Sequence, residues 1–158
     1  MDKSKYTIQA LQLIWSAIFA STLFLGLFLI YLGQEDLKPV SGDPNILVAV
    51  LAFFALLSPA AGYFISGKKI SAIDARLSAT DKIGAFSAAL ILRLASIEAS
   101  AIFAVLVVFM TGDSIALVIA GLMLVLMILN FPSPSRIGNL LSLTDSELRQ
   151  VRGGLGRD

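Results

Sequence analysis

Four apolar stretches, each about 20 residues long, divide this chain, and each is long enough to cross a hydrocarbon layer about 30 Å thick. They fall at residues 7–32, 46–66, 86–110 and 115–131. Backbone N–H and C=O groups placed in lipid must find partners within their own segment, so helices are the expected form. The 158 residues are 57% hydrophobic and 15% charged, with a mean hydropathy of +0.87, well outside the range of soluble domains. The expected fold is all-α: a polytopic membrane protein with four transmembrane helices in an up-and-down bundle. The bundle occupies residues 1–137, and residues 138–158 form a cytoplasmic tail with a short capped helix.

Lys3 and Lys5 precede the first stretch as they would a signal peptide. The apolar run is longer than an h-region of about 7–15 residues and ends without a small-x-small site, so it reads as a retained helix. Basic residues then set the orientation. Lys3, Lys5, Lys68, Lys69, Arg76, Lys82, Arg136, Arg149, Arg152 and Arg157 flank one face, Lys38 alone flanks the other, and Arg93 lies within a span. The positive-inside rule places both termini and the 67–84 loop in the cytoplasm, with the 33–45 and 111–114 turns outside. A bacterial inner membrane is the expected location.

Local signals refine the connections. Thr111-Gly112-Asp113-Ser114 is short enough to join only adjacent antiparallel helices, with Gly112 as the stop and Asp113 or Ser114 as the next N-cap. Ile70, Ile73 and Leu77 recur at i, i+3 and i+7 in the second loop, which predicts a short amphipathic cytoplasmic helix. Pro132 and Pro134 end the fourth helix. In the tail, Thr144 and Glu147 form a capping box between the stapling residues Leu143 and Leu148, and the resulting short helix needs a surface on which to dock.

Cysteine and histidine are both absent, which removes disulfides, thiolate and imidazole metal sites and the nucleophile–base pairs built on them. No metal site, no cofactor and no enzymatic role is expected, and the balanced net charge of +1 gives no reason to expect nucleic-acid binding. Glu98 is the most deeply placed ionisable residue, in Arg93-Leu94-Ala95-Ser96-Ile97-Glu98. Carboxylates at such depth are costly unless paired, wet or protonated, and they mark functional positions by default. Aligning the first and third helices puts Glu98 level with Phe19 and just beyond Gln12 and Ser16. Pro59 kinks the second helix and frees the Ala55 carbonyl. These residues form the candidate polar cluster of Gln12, Ser16, Ala55, Arg93 and Glu98. Arg93 and Glu98 lie about 140° apart around the helix, so different partners are expected for them.

Ala95, Ser96, Ala99, Ser100 and Ala104 give the third helix a small-residue packing surface for a neighbour in the same chain or in another subunit. The fourth helix, apolar nearly all round, suits lipid contact. The run Arg93-x4-Glu98, with the turn Thr111-Gly112-Asp113 and the exit Asn130-Phe131-Pro132-Ser133, resembles small uncharacterised four-helix bacterial membrane proteins that carry an Arg-x4-Glu segment. More weakly, Arg93 to Phe103 is similar to the carboxylate helix of rotary-ATPase proteolipid (c) subunits, which would imply that Glu98 carries an ion. Two functions follow as expectations. The first is a non-enzymatic membrane subunit or scaffold, lodged in the lipid bilayer and joined to further copies or to other membrane subunits. The second is a small proton- or cation-coupled transporter with Glu98 as its intramembrane carrier.

Overall fold

The computed structural model describes residues 7–33 and 44–151. They form six helices, and no strand is present among them: α1 (Ile8–Gly33), α2 (Pro44–Ser71), α3 (Ala79–Thr111), α4 (Ser114–Leu129), α5 (Pro134–Leu141) and α6 (Asp145–Val151). The first three are long and apolar enough to cross a membrane. The stretch expected as a fourth span is shorter, since 16 helical residues reach only about 24 Å. It passes as a span only together with α5, which is bent from it by 69°. Leu13, Phe24, Phe53, Leu56, Phe64 and Leu129 are each more than half exposed. Such a surface suits lipid and not water, as in an integral membrane protein.

The architecture is built around α3. It packs most extensively on α2, then on α4, then on α1, while α1 and α4 meet at few points. The helix starts at Ala79, seven residues before the expected 86, because Ser78 caps it: its Oγ accepts from the Asp81 N–H at 3.3 Å. Hydropathy finds only the lipid-compatible part of a helix, whereas the cap marks its true start. At 33 residues, α3 is about 50 Å long, so about 20 Å extends beyond a hydrocarbon layer. Along that extension Ala79, Ile83, Phe86 and Leu90 share a core with Ile8 and Leu11 of α1, Ile137 and Leu141 of α5 and Val151 of α6.

The amphipathic helix expected in the 67–84 loop is not formed. Instead α2 continues to Ser71, and residues 72–78 turn back with the Arg76 N–H donating to Asp74 Oδ1 at 2.9 Å. Ile70 and Ile73 pack on the same core, but Leu77 remains 40% exposed. The short Asp-centred turn leaves no room for a separate helix between α2 and the Ser78 cap. The other connections follow their local signals. Gly112 adopts φ +68° and donates its N–H to the Val108 carbonyl, and Asp113 Oδ1 accepts from Ile115 N at 2.7 Å. Thr144 and Glu147 exchange hydrogen bonds at the start of α6, and Leu148 lies against Gly138 of α5.

The closest helix contact lies between α2 and α3. In α2, Leu51, Ala55, Pro59, Gly62 and Ser66 form one buried stripe, and the helix runs through Pro59 without a break. A methyl group on Gly62 would stand 1.8 Å from Ser96 Oγ and 2.7 Å from Ser96 Cβ. Ser58 Oγ donates across this contact to the Ser96 carbonyl at 2.9 Å. Ser100 and Ala104 are buried and Ser96 is half-buried, whereas Ala95 and Ala99 are exposed. Thus α2 of the same chain covers part of the small-residue surface. On α4, Ala116, Ala120, Met123 and Met127 face inward at helical spacing, so this helix is lipid-facing on one side only.

Gly62→Ala should lower stability by about 1–3 kcal/mol, through overpacking against Ser96. Gly67→Ala, where an added methyl meets nothing within 4 Å, should not; thermal unfolding in detergent compares the two. A second prediction concerns α6. The backbone N–H and then the hydroxyl of Thr144 hold the Glu147 carboxyl below its ordinary value of about 4.5. The carboxylate therefore supports the cap fully above that ordinary value, and the support is lost as pH falls through the lowered one. Hydrogen exchange of the α6 amides, corrected for intrinsic rates, should show protection falling between about pH 7 and pH 3 more in the wild type than in Glu147→Gln.

Candidate functional site

Arg93 of α3 is held by two other elements, α2 and the end of α4. From α3 its Nε donates to Ser66 Oγ of α2 at 2.8 Å, its Nη1 donates to Asn130 Oδ1 at 3.4 Å, and its guanidinium carbon lies 4.5 Å from the centroid of the Tyr63 ring. Asn130, the C-cap of α4, donates from Nδ2 to the Leu126 carbonyl at 2.7 Å and also to the Tyr63 hydroxyl. Ser66 is fully buried and Asn130 is 3% exposed. The positive charge is thus met by two amide or hydroxyl dipoles and an aromatic face.

The end of α4 is completed by side chains from elsewhere. Where Pro132 and Pro134 break the helix, its last carbonyls lack the usual helical donors. Trp15 Nε1 donates to the Met127 carbonyl at 2.9 Å, Gln12 Nε2 to the Pro132 carbonyl at 3.2 Å, and Arg136 Nη1 to the Leu129 carbonyl. The Trp15 ring stacks on Phe19 at 5.0 Å and meets Phe131 edge-on at 5.0 Å.

Glu98 faces α1. Its Oε1 accepts from Thr22 Oγ1 at 3.3 Å, and the same hydroxyl stands 2.9 Å from the Ile18 carbonyl. One hydroxyl proton serves both acceptors, and the carbonyl is closer, so the tie to Glu98 is the weaker. The five residues expected as one polar cluster therefore do not converge. Arg93 turns toward α2 and α4, Glu98 toward α1, Gln12 toward the α4 break, Ser16 is exposed, and Ala55 sits in an apolar core with Ile97, Ala101, Met123 and Met127. The 140° offset between Arg93 and Glu98 accounts for their separation. Thr22, Tyr63, Ser66 and Asn130 were missed by the sequence reading, although a hydroxyl or amide inside an apolar run is a signal that could have found each of them.

Thr22 also lines a groove of about 270 Å³ between α1 and α4, floored by α3. Leu23, Gly26 and Leu27 form one wall, Ala101, Val105 and Val108 the floor, and Leu117, Ala120, Gly121 and Leu124 the other wall. A second apolar groove, of about 460 Å³, lies between Val50 and Phe54 of α2 and Ala99, Ile102, Phe103 and Leu106 of α3. Among the described residues no group of three or more acidic side chains is placed to hold a metal ion. Family models, curated proteins and solved structures gave no match to this chain.

Asn130→Ala should cost about 1–3 kcal/mol in detergent unfolding, because it leaves Arg93 Nη1 and the Tyr63 hydroxyl without their amide partner. Glu98→Gln keeps an acceptor for Thr22 and should unfold close to the wild type.

Proposed function

We propose that this chain is a four-span integral membrane protein that acts as a non-enzymatic subunit, holding an apolar helix of a second copy or of another membrane protein in the groove between α1 and α4. The observation that carries this reading is the chemistry of the groove. Of its lining side chains only Thr22 forms a hydrogen bond, and the walls are otherwise aliphatic or glycine. Gly121, exposed and with nothing within 4 Å of an added methyl, lets a second backbone come close, which is how helices associate in lipid.

In this reading α1, α2, α3 and the bent pair α4–α5 cross a bacterial inner membrane. The basic residues around the α2–α3 loop and the tail support a cytoplasmic location for that end. The bonds of Arg93 to Ser66 and Asn130, of Trp15 to Met127 and of Ser58 to Ser96 each join two elements, as structural ties do. An ion carrier at Glu98 needs polar groups along a route on both sides. Beyond Thr22 the groove offers Leu27, Val105, Val108 and Leu117, which favours the subunit reading over the transport one.

The chain has no cysteine, so single introduced thiols report cleanly. Leu117→Cys and Gly121→Cys should crosslink to a protein partner in native membranes, whereas Phe53→Cys, on the exposed face of α2, should not. If neither groove thiol crosslinks, and Glu98→Gln abolishes proton flux in liposomes of the purified protein, the transport reading replaces this one.

A further inference from the structure

A second feature lies farther along α3 from the α1–α4 groove, toward the N-terminal end of that helix. Where α4 breaks and α5 turns away, the structure leaves a small crevice with Arg93 and Arg136 on its walls, together with Asn130, Leu90, Phe131 and Leu140. Its room is about 40 Å³. One water needs about 10–15 Å³ of such space, so a compact tetrahedral group fits and a whole lipid does not. Both arginines line the same crevice, and no acidic residue lines it among the described residues. Arg93 spends Nε on Ser66 and Nη1 on Asn130, and Arg136 spends Nη1 on the Leu129 carbonyl. The Nη2 groups of both have no protein acceptor among the described residues. Two like charges facing one space, fixed by neutral partners and with donors to spare, form a complement for an anion with several acceptor oxygens.

The position of the crevice narrows the class of anion. Counted from Thr111 at the α3–α4 turn, about 30 Å of hydrocarbon takes about 20 helical residues. That brings the opposite boundary to Arg93. Phosphodiester groups of phospholipids lie just outside that boundary, and Leu140 and Phe131, 49% and 38% exposed, offer apolar surface where an acyl chain would begin. We propose that Arg93 and Arg136 bind the phosphate of an anionic phospholipid headgroup in this crevice, with its chains running along the surface of α4. The inference rests on the membrane placement given above and is independent of what occupies the α1–α4 groove.

The protein carries its own reporter. Trp15 is the sole tryptophan, and its ring touches Phe131 on the wall of the crevice. The test is quenching of Trp15 in delipidated protein by bromine-labelled phosphatidylglycerol or phosphatidylcholine, added as mixed micelles. Both lipids carry the phosphate, but the choline cation of phosphatidylcholine is repelled by the two guanidiniums. Phosphatidylglycerol should therefore quench at a lipid fraction about tenfold lower, a difference of about 1.4 kcal/mol. Arg136→Gln, at an exposed position and with an amide N–H still available to donate, should remove the preference while unfolding in detergent close to the wild type. Equal quenching by both lipids, or a preference unchanged in Arg136→Gln, overturns the proposal. If inorganic phosphate near 1 mM relieves the quenching by phosphatidylglycerol, the crevice is a site for soluble phosphate, and the lipid assignment falls.

Discussion

The contact between Gly62 and Ser96 sets the spacing of the two most closely packed helices, and the polar chemistry of the protein follows from that spacing. With no side chain at Gly62, the backbones of α2 and α3 approach until Ser58 reaches the Ser96 carbonyl. Ser66 lies one turn beyond Gly62, and Arg93 lies nearly one turn before Ser96, so the same approach brings the Ser66 hydroxyl and the Tyr63 ring to the guanidinium. In lipid there is little hydrophobic force between helices, and packing of small residues together with inter-helix hydrogen bonds supplies the attraction. This contact has both.

From α3 outward, the structure divides into two levels. Around Arg93 the helices are cross-tied by side chains: Tyr63 and Ser66 from α2, Asn130 at the end of α4, and Gln12 and Trp15 from α1. The break at Pro132 creates the open carbonyls that Gln12 and Trp15 meet, so a helix end that would be costly in lipid becomes a meeting point of several elements. Nearer the α3–α4 turn, packing is apolar, with Leu51, Ala104, Val105, Val107, Ala116 and Ala120 in one core. There α1 stands away from α4, and the groove beside Thr22 opens.

What the sequence made legible is governed by distance along the chain. Gly112 and Asp113 fixed the α3–α4 turn, and Thr144 with Glu147 fixed the start of α6, because a cap acts within one turn. The three long helices were visible as apolar runs, though hydropathy stopped short of the part of α3 that precedes Phe86, and the short fourth run at 115–131 already matched the length of α4. Ser78 marks the true start of α3 through its cap, a signal that the apolar run does not contain. The partners of Arg93, Trp15 and Glu98 were not legible. Their bonds join residues 27, 112 and 76 positions apart, and only the rotation of each helix decides which neighbour is faced. Glu98 and Arg93 stood out for their charge, but the residues that meet them, Thr22, Ser66 and Asn130, look like ordinary minor polar residues in apolar runs.

The central claim is that α3 carries the chain across a bilayer, with Arg93 near one hydrocarbon boundary and the Gly112 turn at the other. Cysteine-free protein makes this directly measurable with a membrane-impermeant maleimide in sealed, oriented vesicles, using Ala75→Cys, Leu106→Cys and Ser114→Cys, three positions that are exposed on the protein surface. The account predicts that Ala75→Cys and Ser114→Cys label from opposite sides and that Leu106→Cys stays unlabelled until detergent is added. Labelling of both end positions from the same side, or of Leu106→Cys in intact vesicles, would contradict it.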